Sequence, residues 1–290
     1  MKKNSQKKLL VAPDIKFCWV VALQCEAKPL IKFFEMKCLS GSLLYPIYVS
    51  NKGDHALVIS GVGQIKAASA STFLREKLNV GNYSAWINIG VAGYFKGPIG
   101  TLYQIQKVVS QSTEKSFFPG LRFSKIVKGA TLITVDQPER DYLSENLYDM
   151  EAAGFCEVAP LFSCNELTFV FKIVSDTQMM SRSFLKKTYV SEIIDQNRQS
   201  ILRLVDAIDD LVQEEKNRLE KFGETDRVLE KFHFTESNRL KFERVFRQWR
   251  SIYPDRPVPQ VGQKKSAAKE IIVSLEKDIA DAAYNWVYND

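Results

Sequence analysis

The sequence has few of the residues that build metal sites and disulfide frameworks. It contains two histidines, His55 and His233, and five cysteines, none of which forms a Cys-x-x-Cys pair. The odd number of cysteines and their apolar neighbours indicate reduced thiols in a cytoplasmic protein. We therefore predict no disulfide scaffold, no metal site and no other cofactor.

The sequence also lacks a hydrophobic run long enough to span a membrane. The basic start MKKNSQKK is followed by an apolar stretch that Pro13 and Asp14 interrupt, so a signal-peptide core does not form. We expect a disordered basic tail over residues 1–16 and no membrane partner.

Strong charge of one sign is absent as well. The 40 Lys and Arg residues exceed the 34 Asp and Glu residues by only six, which is less than the charge density of a dedicated nucleic-acid binder. Nucleic acid is therefore not an expected partner. With 290 residues, 45% of them hydrophobic, the chain is long enough for one large domain, or for a medium domain with an appendage.

Short apolar runs alternate with helical patterns through most of the chain. The predicted strands are FCWVVA, HALVIS, AWINIGVAG, ATLITV and LTFVFKIVSD. The small and apolar residues of QIKAASASTFLREKL suit a helix that packs closely on a sheet, whereas STEKSFFPGLRF is typical of a loop. A helical pattern from Leu185 to Phe222 ends before Gly223. This alternation predicts an α/β sandwich.

Residues 223–290 have the pattern of a separate helical extension. One helix carries Phe242, Phe246 and Trp249 at helical spacing, YPDRPVPQ breaks the chain, and a last helix begins at about Ala267. Arginines alternate with these aromatics, which would suit nucleic acid or an acidic partner. Because arginines and aromatics fall on different helical faces, we favour an amphipathic helix whose aromatic stripe packs on the main domain.

Three acidic residues stand where ligands collect in α/β proteins. Glu26 follows WVVALQC, Asp176 follows VFKIVS, and Glu151 lies in LYDMEAAGF at a predicted helix start. Ligands of open α/β sheets bind outside the carboxyl ends of strands, so three carboxylates from distant parts of the chain would meet in one pocket. The simpler explanation is that the helix dipole stabilises an acid in the first helical turn and that a Ser-Asp pair caps a helix.

Five motifs together resemble one enzyme superfamily. ALQCEAKPL, SGVGQIKAA, INIGVAG, DMEAAGF and IVSDTQ occur in the order of the purine nucleoside phosphorylases and nucleosidases. Over roughly Phe17 to Val212 the chain most resembles the methylthioadenosine/S-adenosylhomocysteine nucleosidases. The resemblance implies a three-layer α/β/α sandwich of the nucleoside phosphorylase fold over residues 17–222, followed by the helical extension at 223–290.

The resemblance also implies a reaction and roles for the acids. The reaction is hydrolysis of the N-glycosidic bond of a purine nucleoside such as methylthioadenosine, through an oxocarbenium-like transition state. Asp176 would be the general acid on the purine N7 side, which requires a pKa raised by burial. Glu26 would accept a proton from the attacking water, and Glu151 would bind the ribose hydroxyls. The other implied substrate-binding residues are Met150, Asp149, Ser175, Ala92 and Gly93.

Two alternatives stay open, a phosphorylase and a binding protein without catalysis. A phosphate site needs arginines or clustered backbone donors near the sugar, and no arginine precedes Arg75 in the predicted core. This favours water as the nucleophile. Arg122 and Arg140, however, lie in a region where no element is firmly predicted.

The chain departs from the nucleosidases in two places. Val91 stands in Gly-Val-Ala-Gly where the family usually has serine, and the segment before Met150 is shorter than in the family. That segment normally supplies aromatic contacts to the base, a role that Phe117 or Phe118 would take here. Because the family commonly pairs subunits across the site, we also expect a homodimer.

Overall fold

The structure is a computed structural model of the chain. It describes residues 14–41, 44–95, 97–120, 123–139, 142, 144–177, 186–220, 223–259 and 267–288. The chain divides into two compact units, Met1–Glu214 and Glu215–Asp290. The domain limits at residues 16 and 222 stay predictions.

The first unit is built on a ten-stranded mixed sheet. The strands are β1 (Phe17–Val21), β2 (Met36–Cys38), β3 (Ile47–Ser50), β4 (His55–Ile59), β5 (Ala85–Tyr94), β6 (Leu102–Ser110), β7 (Ser116–Phe117), β8 (Lys128–Thr134), β9 (Leu147–Asp149) and β10 (Thr168–Thr177). The α-helices are α1 (Gln24–Phe33), α2 (Gln64–Leu78), α3 (Ala152–Phe162), α4 (Lys187–Gln196), α5 (Arg198–Glu220), α6 (Gly223–Lys231), α7 (Glu236–Ile252) and α8 (Ala267–Tyr288).

Strand β5 is the centre of the sheet. It pairs in parallel with β1 and β10 and antiparallel with β9. The strand order β10-β6-β8-β9-β5 therefore returns to its start through the β10–β5 pairing, so this part of the sheet is closed. Because β1, β5 and β10 run in the same direction, their carboxyl ends lie at one edge.

Helices cover both faces of the sheet. Along β1, Phe17, Trp19 and Val21 point into one core with residues of α1, α4 and α5, whereas Cys18 and Val20 point into a second core with residues of α2 and α3. This alternation is the period of two that a strand buried on both faces requires. The predicted three-layer α/β/α sandwich is confirmed.

Most predicted elements are present with small changes. Helix α2 has the predicted limits, and each predicted strand has its counterpart in β1, β4, β5, β8 or β10. Strand β6 is not predicted from the sequence, because Gln104, Gln106 and Lys107 interrupt its apolar pattern. The segment predicted as a loop, STEKSFFPGLRF, contributes the two-residue strand β7.

Two limits differ from the predicted ones. The helical pattern predicted from Leu185 is split into α4 and α5 at Asn197, and Gly223 begins α6 rather than ending a helix. At the amino end, Ile15 is buried and Lys16 forms an ion pair with Asp209. Residues 1–13 of the predicted tail lie outside the described residues.

The second unit contains α6, α7 and α8. The predicted aromatic stripe of α7 is fully buried, and it packs with Ile271, Ile272 and Leu275 of α8. Arg250 closes the end of α7, because its guanidinium donates to three backbone carbonyls and pairs with Glu224. The helix is amphipathic as predicted, but the prediction that its aromatic stripe packs on the main domain is wrong, because the stripe packs on α8. Within the described part of the chain, no helix combines the length and apolarity that crossing a membrane requires.

One histidine is built into the core of the first unit. The ring of His55 stacks between Phe17 and Phe34, with ring centroids 4.5 Å and 4.2 Å apart, and its Nδ1 accepts a hydrogen bond from Trp19 Nε1 at 3.1 Å. Burial lowers the pKa of His55 from 6.5 to about 4. The folded protein disfavours the charged ring. The contribution of the neutral His55 ring to the stability of the protein is therefore fully present above pH 6.5 and is lost as the pH decreases towards 4.

We predict that replacing His55 by Gln removes this acid sensitivity. The unfolding free energy of the wild type should fall by roughly 2 kcal/mol relative to H55Q between about pH 7.5 and about pH 4.5. Urea denaturation at each pH measures the difference. H233Q removes the chain's other histidine, which is exposed, and is the matched control. A wild-type curve parallel to that of H55Q would contradict the prediction.

Candidate active site

The three predicted acids are all buried around the carboxyl ends of β1, β5 and β10. Glu26 is 3% exposed, Asp176 is 4% exposed and Glu151 is 8% exposed. Carboxylates are almost never this buried unless protein groups or a ligand hold them. The protein groups that contact each carboxylate therefore show whether it caps a helix or is placed for a ligand.

Glu26 connects helix α1 to strand β5. Its Oε2 accepts hydrogen bonds from the backbone N–H groups of Ala22 and Leu23, and its Oε1 accepts one from Val91 N–H at 2.9 Å. Residue 90 must be glycine for this approach, because a Cβ there would lie 2.7 Å from Glu26 Oε1. Burial raises the pKa of Glu26, against the lowering effect of these N–H donors. Glu26 thus caps its helix and also presents a carboxylate at the end of β5.

Glu151 does not cap the helix that it precedes. Its Oε1 instead accepts from Gly63 N–H at 2.9 Å, at the start of α2, and its Oε2 lies 3.3 Å from Met150 N. Burial, together with the negative charge of Asp149, raises the pKa of Glu151 to about 7. Glu151 stands at the start of α3, but its carboxylate contacts the start of α2 instead of capping α3.

Asp149 performs the capping role instead. Its Oδ2 accepts from Ala152 N–H at 2.8 Å, and its Oδ1 accepts from Thr134 Oγ1 at 2.7 Å. The same Oδ2 lies 2.8 Å from Lys172 Nζ, and both side chains of this ion pair are buried. The oxygens of Asp149 are thus held by protein groups, which is the pattern of a residue that positions others.

Lys172 is a site residue that the sequence analysis does not identify. It lies on β10, and its side chain is fully buried beside the carboxylates. Burial opposes its charge, but Asp149, Glu151 and Glu26 together raise the pKa of Lys172, so it stays an ammonium. The only sequence signal is one charged residue inside an otherwise apolar strand.

Asp176 lies at the end of β10 beside Gly93 of β5. Its Oδ1 accepts a hydrogen bond from Ser175 Oγ at 2.5 Å, and its Oδ2 accepts one from the phenol of Tyr142. Ser175 Oγ also lies 3.3 Å from the carbonyl of Ala92. The predicted residues Ser175, Ala92 and Gly93 are therefore grouped around this acid. Tyr142 joins them from the segment TVDQPERDY, whose irregular pattern gives no sign of its position.

Met150, another predicted substrate-binding residue, is partly buried in a small apolar cluster with Tyr142, Tyr148 and Val135. Phe117 packs against the core that contains α2 and α3, and Phe118 is largely exposed on the surface. Arg122 and Arg140, which the phosphorylase alternative requires, lie outside the described residues.

No protein-family model and no curated protein match the sequence. Solved structures do match. The 5′-methylthioadenosine nucleosidase of Arabidopsis thaliana has a TM-score of 0.55 at 18% identity, and the match covers 68% of this chain and 96% of that chain. The chain has the nucleoside phosphorylase fold.

Bacterial nucleosidases share the same fold. The 5′-methylthioadenosine/S-adenosylhomocysteine nucleosidase of Campylobacter jejuni has a TM-score of 0.54 at 16% identity, over 67% of this chain and 99% of that chain. That of Colwellia psychrerythraea, solved in complex with adenine, has a TM-score of 0.53 at 16% identity, over 66% of this chain and 95% of that chain. The helical extension is consistent with the part of this chain that these matches do not cover.

We predict that Glu151 makes the first unit less stable as the pH rises. A carboxyl whose pKa is 4.5 when unfolded and about 7 when folded favours the protonated folded state, and this advantage is lost through pH 7. The unfolding free energy of E151Q should therefore increase, relative to the wild type, by roughly 2 kcal/mol between about pH 5 and about pH 8. Urea denaturation is the measurement. E157Q changes an exposed residue of α3, the helix that Glu151 precedes, and should show no such trend.

Proposed function

We propose that the chain is a nucleosidase that hydrolyses the N-glycosidic bond of a purine nucleoside, with methylthioadenosine-like compounds as first substrates. One observation carries the proposal: three acids from distant parts of the chain are buried together around the end of β5, and burial raises the pKa of two of them, Glu26 and Glu151. Such costly arrangements cluster at functional sites. The fold shared with the nucleosidases supports the same reaction.

Glu151 binds the sugar in this proposal. Its two carboxylate oxygens can accept hydrogen bonds from two adjacent ribose hydroxyls, which matches the geometry of a diol. The charged form binds best, so nucleoside affinity increases as the pH rises through about 7. Met150, whose backbone N–H faces Glu151, lies beside the sugar.

Glu26 and Asp176 carry the proton transfers. The water oxygen forms a bond to C1′ while the C1′–N9 bond breaks and its electron pair passes to the purine. Glu26 accepts a proton from the water, a role for which its raised pKa makes it a stronger base. Asp176 enters this step as the protonated acid and donates its proton to N7 of the departing purine, with Ser175 holding its other oxygen. No cofactor takes part in these steps.

Water is the better nucleophile for this site than phosphate. Lys172 is paired with Asp149 and also lies near Glu26 and Glu151, so the charge of this cation is already offset. A phosphate dianion would gain little attraction from these groups. Phosphorolysis would need further cations, whereas a neutral water molecule does not.

We predict that the purified protein releases free base from methylthioadenosine without phosphate, and that D176N lowers kcat by about 10² or more because N7 no longer receives a proton. Base release from methylthioadenosine, adenosine and inosine, with and without phosphate, is the measurement. D206N changes an exposed aspartate of α5 and should keep full activity. Release that requires phosphate would identify a phosphorylase, and binding without release would identify a non-catalytic protein.

We also propose a homodimer in the cytoplasm. All five cysteines are free, which suits a reducing compartment. Apolar side chains are exposed on α2 and α3, which pack into the same core, and Ile65 of α2 is 86% exposed directly after the segment that contacts Glu151. An exposed apolar surface of this kind is typical of an interface.

We predict that Ile65→Asp converts the dimer to a monomer in light scattering, because a charge would be buried at the interface. An acid suits the first turn of α2, so the fold should be unaffected. Leu44→Asp changes an exposed leucine outside α2 and α3 and should leave the dimer intact. A monomeric wild type would contradict the proposal.

A further inference from the structure

Tyr142 is the most unusual side chain at the candidate site. It lies in the segment between β8 and β9, yet it is only 2% exposed. Its backbone has φ +42°, in the left-handed region that large side chains rarely adopt. A buried tyrosine in this conformation is held there by its contacts, because the backbone alone would not favour it.

Two of these contacts fall on groups that the proposed reaction needs. The phenol donates a hydrogen bond to Asp176 Oδ2. The same phenol packs directly on Gly93, because a Cβ at residue 93 would lie 2.1 Å from the Tyr142 hydroxyl oxygen. The ring continues towards Tyr148, whose centroid is 5.5 Å away. Tyr142 therefore covers both the acid and the adjacent strand backbone.

A purine that receives a proton from Asp176 must occupy this same place. Its N7 would lie at hydrogen-bond distance from the carboxylate, and its ring would lie beside the β5 backbone at Gly93. Protein interiors are close-packed, so a purine and the Tyr142 ring cannot both be there. Tyr142 must leave before a base can bind.

We propose that Tyr142 is an internal competitor for the purine and thereby determines the affinity and specificity of the site. This inference rests on the proposed position of the base beside Asp176. A ligand binds only if it replaces both the phenol–carboxylate hydrogen bond and the packing of the ring on Gly93. A purine can do so, because it offers a flat ring and a ring nitrogen that forms a hydrogen bond with Asp176 when one of the two groups carries a proton.

The test compares the binding of adenine by wild type, Y142F and Y142A, measured by calorimetry. Y142F loses the hydroxyl hydrogen bond and keeps the ring, so it should bind adenine about ten-fold more tightly than the wild type, the equivalent of one lost hydrogen bond to a charged group. Y142A also loses the packing of the ring on Gly93, so it should bind adenine more tightly still. Y83A changes a half-buried tyrosine before the opposite end of β5 and should bind as the wild type does.

The outcomes distinguish this inference from the proposed reaction. Tighter binding by Y142A, with no base release from any nucleoside, would support the inference and contradict the nucleosidase. Equal or weaker binding by both variants, with circular dichroism spectra unchanged, would overturn the inference even if the wild type releases base. Y142F retains the packing volume, so it still reports on the phenol if Y142A does not fold. Absence of adenine binding in every variant would also overturn the inference.

Discussion

The buried ion pair between Lys172 and Asp149 is the interaction on which the candidate site depends. Several carboxylates cannot be taken out of water together unless a cation offsets their charge. Lys172 supplies that cation from the middle of β10, with its Nζ 2.8 Å from Asp149 Oδ2. Asp149 in turn caps α3 and bonds to Thr134, so one ion pair joins β8, β9, β10 and the start of a helix.

The sheet places the remaining acids around this pair. Strand β5 pairs in parallel with β1 and β10, so the carboxyl ends of these three strands lie at one edge although they are far apart in the chain. The short antiparallel strand β9 pairs with Gly93 and Tyr94 and brings the residues after it to the same end of β5. Close approach is possible because β5 ends in small residues: Gly90 leaves space for Glu26, and Gly93 leaves space for Tyr142. The site thus depends on the strand pairing and on the two glycines, which have no side chain.

Local patterns account for what the sequence predicts well. The buried strands are visible as continuous apolar runs and α2 as a run of small and apolar residues. The acids stand close to such elements, so Glu26, Glu151 and Asp176 can be identified as a group. Lys172 and Tyr142 give no comparable signal. A single lysine in an apolar strand acquires meaning only when Asp149 lies opposite, and the path of the Tyr142 segment depends on packing against residues far away in the chain. Strand β6 is difficult to predict for a related reason. Its buried Gln104 accepts a hydrogen bond from the backbone N–H of Phe123, which is distant in the chain.

The central claim is that this edge of the sheet binds a purine nucleoside through Glu151 and Asp176. A crystal structure of the D176N protein grown with methylthioadenosine tests it most directly, because the variant should bind the nucleoside without cleaving it. The account predicts ribose hydroxyls on the Glu151 carboxylate, the purine beside Gly93 and residue 176, and the Tyr142 ring displaced. A nucleoside bound elsewhere, or a site that stays closed by Tyr142 at saturating ligand, would contradict it.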